Sequence, residues 1–175
     1  MKKTALFALC VLTATSAGAQ SLGEKTGAAA VVGMTPSTED FVKEAAMSDM
    51  FEIQSSQLAQ TKGDASAKTF AGHMITDHQK TTAELTGLIK TGAVKVEPPT
   101  ALNASLQSKL DKLKQQSGKE FTSSYDEDQV SAHKDAVSLF ERYAKGGDNA
   151  ALKEWAGKTL PALQQHLQMA QALNK

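Results

Sequence analysis

Apolar residues recur every three or four positions in four long segments of this chain, which is the pattern of amphipathic α-helices. The first segment begins near Ser37 and ends at "KGD" (62–64), and the second runs to about Lys90 and stops at Gly92. The third ends at Gly146-Gly147, and the fourth continues nearly to the C-terminus. The pattern therefore predicts four long helices.

Capping residues lie where these helices are expected to begin and end. Pro36 precedes the first helix, and acidic residues occupy its first turn, which suits the positive end of the helix dipole. Glycine tolerates the left-handed conformation that closes many helices, whereas Ser and Asp side chains accept hydrogen bonds from free backbone N–H groups. The predicted caps are Gly63 in a left-handed conformation, Asp64 for the second helix, a Ser117–Glu120 capping box for the third and Asp148 for the fourth.

The connections between the helices predict the fold. Short turns join the first helix to the second and the third to the fourth, and "GDASAKTFAG" (63–72) is weakly repeated by "GDNAALKEWAG" (147–157). "EPP" (97–99) excludes helix from the long middle link, but a leucine stripe predicts a short helix after it. We therefore predict an all-α, ferritin-like four-helix bundle of two hairpins, with a long crossover that contains a short extra helix.

The N-terminus has the pattern of an export signal. Two lysines precede an apolar run that is too short to span a membrane, and small residues follow it at 17–19. We predict a signal peptide at 1–19 with cleavage after Ala19, a flexible leader at 20–36 and the bundle at 37–175. Cleavage removes Cys10, the only cysteine. The predicted location is the periplasm or the exterior.

Composition narrows the possible functions. The formal net charge is zero, so no basic field attracts nucleic acid. No Gly-x-Ser-x-Gly elbow or phosphate-binding loop is present, and we expect no membrane span. The sequence leaves open which partner the protein has; a second copy of the chain and an envelope protein are the candidates.

Projection of each segment onto a helix places one ionisable residue on or beside each inner face. These residues are Glu52, His78, His133 and His166. Buried ionisable groups are costly unless they are paired or bind a metal. With a rise of about 1.5 Å per residue, the first three are expected within about one turn of each other and His166 about two turns away. Pro161 is a possible cause of a shift, because an internal proline kinks a helix.

Three segments together resemble a bacterial exported family of domains of unknown function, DUF4142. They are "FVKEAAMSDMFEIQSSQLA", "FAGHMITDHQKTTAEL" and "AHKDAVSLFERYAKGGDNAALKEWAGKTLPALQQHLQMAQ", within 38–172. The resemblance implies a ferritin-like, usually exported bundle with no established activity. Its polar positions correspond to Glu52, Asp77, His78, His133 and His166. Members often carry an acidic residue where this chain has Ala132.

A metal site and a buried polar joint are competing interpretations of these residues. Di-iron bundles use two Glu-x-x-His motifs, and this chain has none, so ferroxidase chemistry is not expected. One zinc, copper or iron ion held by His78, His133, Glu52 and His166 is the metal hypothesis, with Asp77, Met74 and Gln129 as secondary candidates. The alternative is that the histidines bond to neighbouring side chains and fix the register of the bundle.

Two functional hypotheses follow. The first, which the sequence favours, is an exported binding or structural protein of the cell envelope without catalytic residues. The second is a mononuclear metal-binding bundle. The metal hypothesis requires a nitrogen of His78 and one of His133 to lie within about 4 Å of a common point.

Overall fold

The computed structural model describes residues 33–173, and these residues form helices and loops without a β-strand. The five helices are α1 (Thr38–Lys62), α2 (Ala65–Lys90), α3 (Ala104–Gln115), α4 (Gly118–Gly146) and α5 (Ala150–Leu173). The predicted all-α class is confirmed, and α3 is the predicted short helix of the crossover. The predicted signal peptide and most of the leader lie outside the described residues.

The packing order of the helices is that of two antiparallel hairpins. The pair α1–α2 packs on the pair α4–α5, with α1 against α4 and α2 against α5. Phe41, near the start of α1, stacks on Tyr143, near the end of α4, and Ser56 bonds to Tyr125 further along. Helices α1 and α4 are therefore antiparallel, which makes α2 parallel to α4, as the long crossover predicts. Helix α3 lies against α1 and α4.

The core consists of two apolar clusters stacked along the bundle axis. The upper cluster contains Phe41, Leu85, Phe140 and Trp155, and the lower one contains Phe70, Met74, Phe121 and Tyr125 among others. Each of the four long helices contributes to both clusters. Between them, each helix carries polar residues into the interior. The apolar periodicity of the sequence thus forms a core that is interrupted by one polar layer.

The first helix begins where expected, and the predicted Asp64 cap forms. The Ser37 side chain accepts a hydrogen bond from the backbone N–H of Asp40, and the Asp64 side chain accepts one from that of Ala67. Helix α2 ends at Lys90, shortly before Gly92, whose φ of 75° lies in the left-handed region. The sequence therefore predicts these three ends correctly.

The prediction of a left-handed cap at Gly63 is wrong. Its backbone is extended, with φ −71° and ψ 162°. A Cβ atom at this position would lie 2.7 Å from the carbonyl oxygen of Ala59 and 2.9 Å from Cβ of Ala67. Glycine is needed here because the turn brings α1 and α2 together too closely for a side chain.

Two further cap predictions are also wrong. The Ser117 side chain forms no cap, and Glu120 instead accepts a hydrogen bond from Nε2 of Gln116 at 3.2 Å. The N-terminus of α5 is capped by Asn149, which accepts from the backbone N–H of Leu152 at 3.0 Å. Asp148 accepts from the hydroxyls of Thr38 and Tyr143, so it ties the start of α1 to the second hairpin.

None of the helices in residues 33–173 combines the length and apolar character that a membrane span requires.

Candidate metal centre

The polar layer between the two apolar clusters brings together the four residues expected inside the bundle. Glu52 of α1, His78 of α2, His133 of α4 and His166 of α5 are 1%, 2%, 1% and 5% exposed. On each helix, apolar residues one to three turns away on either side belong to the upper or the lower cluster. Four ionisable groups are therefore enclosed by apolar packing, where water cannot compensate for them.

The three histidines form a compact group. The ring centroids of His78, His133 and His166 are 5.5 to 5.6 Å apart. One nitrogen from each ring lies within 4.8 Å of one nitrogen from each of the others. Three atoms no more than 4.8 Å apart lie within about 2.8 Å of a common point. Small movements of the rings would bring them to the zinc–nitrogen bond length of about 2.0–2.1 Å. The geometric condition of the metal hypothesis is therefore met.

A hydrogen-bond acceptor holds one nitrogen of each ring. Nδ1 of His78 lies 2.8 Å from Oδ1 of Asp49, and Nε2 of His166 lies 2.9 Å from Oδ2 of Asp77. Nδ1 of His133 lies 2.9 Å from the backbone carbonyl of Gln129. Because carboxylates and carbonyls only accept, these nitrogens carry the proton. In the neutral rings, the opposite nitrogens therefore present lone pairs.

Those opposite nitrogens have no hydrogen-bond partner. Nε2 of His78, Nε2 of His133 and Nδ1 of His166 are buried and unpartnered, as are both carboxylate oxygens of Glu52. Buried polar atoms without partners are rare and costly, so a cluster of five requires an explanation. Metal-ligating histidines have this arrangement, with one nitrogen fixed by an acceptor and the other free to coordinate.

Glu52 lies beside the histidine group, with Oε1 3.9 Å from Nδ1 of His133. It is not part of the set whose ligand atoms lie within 4.8 Å of one another. Burial raises the pKa of Glu52 to about 7, although the nearby His78, Gln129 and His166 oppose that rise. A carboxyl group at this position is therefore close to half-protonated at neutral pH, and a nearby cation would ionise it.

The environments of the histidines differ electrostatically. Burial, together with the charge of His78, lowers the pKa of His133 to about 4. Burial also lowers the pKa of His166 and outweighs the hydrogen bond to Asp77. Burial acts in the same direction on His78, but the hydrogen bond to Asp49 and the charge of Glu52 raise its pKa overall. Two of the three rings are thus held neutral, which is the form that binds metals.

Asp49 is a supporting residue that the sequence analysis did not identify. Its Oδ1 accepts from His78, while its Oδ2 accepts from the hydroxyls of Thr81 at 2.8 Å and Thr82 at 3.0 Å. Both oxygens are therefore engaged, and Asp49 orients His78 rather than facing the centre. The available signal was its position one helical turn before Glu52 on the same helix.

The three secondary candidates have different surroundings. Asp77 is half-exposed at the edge of α2 and orients His166. Gln129 is buried, donates from Nε2 to Oγ of Ser55 at 3.3 Å, and holds His133 through its backbone carbonyl. Met74 is fully buried and belongs to the lower apolar cluster. Packing in the core is therefore sufficient to explain the position of Met74.

The expected height of His166 is wrong. The sequence predicts a position about two turns from the other residues, but His166 lies in the same group as His78 and His133. His133 precedes the turn between α4 and α5 by about as many residues as His166 follows it, and in an antiparallel hairpin such positions share one height. His78 and Glu52 have a similar relation to the turn between α1 and α2.

Comparison with known proteins identifies a family and no individual relative. The family model described as "Domain of unknown function (DUF4142)" matches residues 23–173. Searches of curated proteins and of solved structures found no match. The matched segment contains all five helices and every residue of the polar layer. The chain therefore belongs to the DUF4142 family of domains of unknown function.

Proposed function

We propose that this protein binds one divalent transition-metal ion inside its helical bundle. Nε2 of His78, Nε2 of His133 and Nδ1 of His166 are the nitrogen ligands, and Glu52 supplies the carboxylate. The observation that carries the proposal is a compact group of three buried histidines from three helices, each with one nitrogen that has no hydrogen-bond partner. Imidazole nitrogens with one carboxylate suit zinc, copper or iron.

The arrangement around the proposed ligands supports this function over a buried polar joint. A joint that fixes helix register satisfies its polar atoms across the interface. Here His78 bonds to Asp49 and His166 to Asp77 on neighbouring helices, and His133 bonds to the carbonyl of Gln129 on its own helix. The second nitrogen of each ring nevertheless has no partner, which a joint alone does not explain. The geometry thus favours the metal hypothesis over the structural hypothesis that the sequence alone ranked first. Export to the periplasm or the exterior is proposed from the pattern of residues 1–19 and places metal binding outside the cytoplasm.

Elemental analysis of the natively purified protein tests the proposal. We expect about one equivalent of metal in the parent and none in a His78→Ala, His133→Ala double variant, because four donors are needed for a tight site. His73→Ala is the matched control, since His73 is an exposed histidine on the same helix. Circular dichroism of the double variant verifies that the helices remain. A parent that neither contains metal nor binds added Zn²⁺ or Co²⁺ would refute the proposal.

A further inference from the structure

The proposed ligand atoms are closed off from solvent. Nε2 of His78, Nε2 of His133, Nδ1 of His166 and both carboxylate oxygens of Glu52 are buried. The two apolar clusters pack against this layer from above and below. An ion held by these donors is therefore separated from bulk water as long as the bundle stays folded.

A groove between α2 and α5 comes near to the centre without exposing its ligand atoms. The groove has a volume of about 760 Å³, and the rings of His78 and His166 line it. Asp77, which also lines the groove, holds Nε2 of His166, whereas Nδ1 of the same ring remains buried. The groove therefore supplies neither water nor an external ligand to the centre.

The number of donors limits which ions the centre can satisfy. Three imidazole nitrogens and one carboxylate match the four-coordinate tetrahedral shell of structural zinc sites. Both oxygens of Asp49 already accept hydrogen bonds, and Asp77 is engaged by His166. Gln129 offers one more unpartnered oxygen, so at most five residues supply donors. Ions such as Mg²⁺ and Mn²⁺, which prefer six ligands and retain water, are therefore disfavoured.

Exchange of an enclosed ion requires the bundle to open. Glu52 and His78 belong to the first hairpin, and His133 and His166 belong to the second. The two helices of each hairpin contact each other more extensively than helices of different hairpins do. Separation of the hairpins is therefore the motion expected to expose the centre, because it breaks the weaker set of contacts.

We propose that the centre is a closed, four-coordinate structural site for Zn²⁺, and that the ion is exchanged only when the two hairpins separate. This inference rests on the proposed function, because it requires a bound ion. It goes further by naming the class of ion and by assigning the ion the role of locking one hairpin to the other. No external ligand reaches the ion in the folded protein.

Competition between Co²⁺ and Ni²⁺ tests the four-coordinate shell. Nitrogen and oxygen sites in general bind Ni²⁺ more tightly than Co²⁺, but a tetrahedral site reverses this order because Ni²⁺ prefers square-planar or tetragonal shells. We expect Co²⁺ to bind about ten-fold or more tightly than Ni²⁺, with a visible spectrum that added imidazole does not change. Tighter binding of Ni²⁺, or a cobalt spectrum that responds to imidazole, overturns the inference and leaves the proposed function standing.

Release of Co²⁺ to EDTA tests the closure. A chelator attacks an open site faster as its concentration rises, whereas release from a closed site is limited by the opening of the bundle. We therefore expect a release rate that is independent of the EDTA concentration. Leu85→Ala loosens the upper cluster, to which both hairpins contribute, and should speed release about ten-fold or more. Leu85→Val is the milder variant, and Gln79→Ala, at an exposed position of α2, is the matched control.

Circular dichroism verifies that all four proteins are folded before the rates are compared. We expect an intermediate release rate in Leu85→Val and the rate of the parent in Gln79→Ala. A rate that rises in proportion to the EDTA concentration, or release that is equally slow in both Leu85 variants and the parent, overturns the inference alone. Failure of the parent to bind either Zn²⁺ or Co²⁺ overturns the proposed function as well.

Discussion

At the scale of single residues, an ionised Glu52 destabilises the metal-free fold but favours the binding of a metal ion. Its carboxyl group is buried with both oxygens unpartnered, and burial raises its pKa to about 7. Without metal, an ionised Glu52 opposes folding; with metal, the same charge is a ligand. A residue whose only role is to hold the helices together would not be expected to destabilise the fold when it is ionised.

The conflict gives a prediction for Glu52→Gln. A folded-state pKa above the ordinary value stabilises the fold below that ordinary pKa, and the contribution is lost as the pH rises through about 7. At about 1.36 kcal/mol per pKa unit, the loss is about 3 kcal/mol. We expect metal-free Glu52→Gln to match the parent near pH 4, below the ordinary pKa of 4.5, and to be more stable at pH 8, as measured by urea unfolding.

The comparison between variant and parent is needed because His133 has the opposite pH dependence. Its pKa is lowered to about 4, so its contribution is present above its ordinary pKa and is lost as the pH falls. In the parent, the stability that Glu52 costs as the pH rises is partly offset by the stability that His133 contributes. Glu141→Gln, at an exposed carboxylate whose pKa is lowered by Lys145, is the control. A Glu52→Gln variant that is less stable than the parent at both pH values would contradict the prediction.

Asp49 gives a second prediction at this scale. Asn at this position can still accept a hydrogen bond from Nδ1 of His78, but it lacks the negative charge that makes the ring a better donor to a metal. We expect Asp49→Asn to weaken metal binding by about 10- to 100-fold, as is typical for residues that orient metal ligands. Competition with a chromophoric chelator measures the affinity. Asp111→Asn, at the surface, should retain the affinity of the parent, and equal affinities for Asp49→Asn and the parent would exclude this role.

The sequence predicts which ionisable residues face inward but not what holds them. Helical periodicity places Glu52, His78 and His133 inside, because it depends only on residue spacing within one helix. The contact between Asp49 and His78 depends on how α1 and α2 are rotated against each other. The acceptor for His133 is a backbone carbonyl, which no residue type specifies. Supporting contacts of these two kinds become visible only in the folded structure.

At the scale of the helices, the turn between α1 and α2 gives a third prediction. Gly63→Ala forces a Cβ atom against the Ala59 carbonyl and Ala67 at distances that real structures do not show. We expect a loss of about 1–3 kcal/mol in the free energy of unfolding, because backbone atoms must move. Gly87→Ala, within α2 and with open space around it, should instead stabilise by up to about 1 kcal/mol. Thermal unfolding of both variants measures the difference, and equal effects at the two positions would refute the explanation for Gly63.

The sequence predicts the bounds of the helices closely, but it predicts the capping residues less accurately. Propensity and glycine position fix α1, α2 and α4 to within a few residues because many positions contribute to each. Whether a residue caps a helix depends on its own backbone conformation and on whether other residues compete for its side chain. Asp148 was expected to cap α5, but Thr38 and Tyr143 from other helices engage it, and its neighbour Asn149 takes the capping position.

At the scale of the whole molecule, the polar layer connects the two hairpins. The proposed ligands come from α1 and α2 on one side and from α4 and α5 on the other, whereas α3 contributes none. Without metal, the layer separates the two apolar clusters and leaves buried polar atoms unpartnered. With metal, the same atoms join all four long helices at mid-height. Metal binding should therefore stabilise the bundle as a unit.

This coupling is measurable as a change in global stability. A ligand that binds only the folded state at a free concentration of 100 times its Kd adds about 2.7 kcal/mol, which raises the Tm of a domain of this size by roughly 5–10 °C. We expect Zn²⁺ to produce such a rise in the parent and EDTA to reverse it. The His78→Ala, His133→Ala variant should show neither effect, and His73→Ala should respond as the parent does.

Hydrogen exchange should show where the stabilisation acts, with slower exchange at mid-height in α1, α2, α4 and α5 and the smallest change in α3. A rise in Tm that survives in the double variant, or protection confined to one hairpin, would mean that the ion binds elsewhere, because a centre built from both hairpins cannot protect one of them alone.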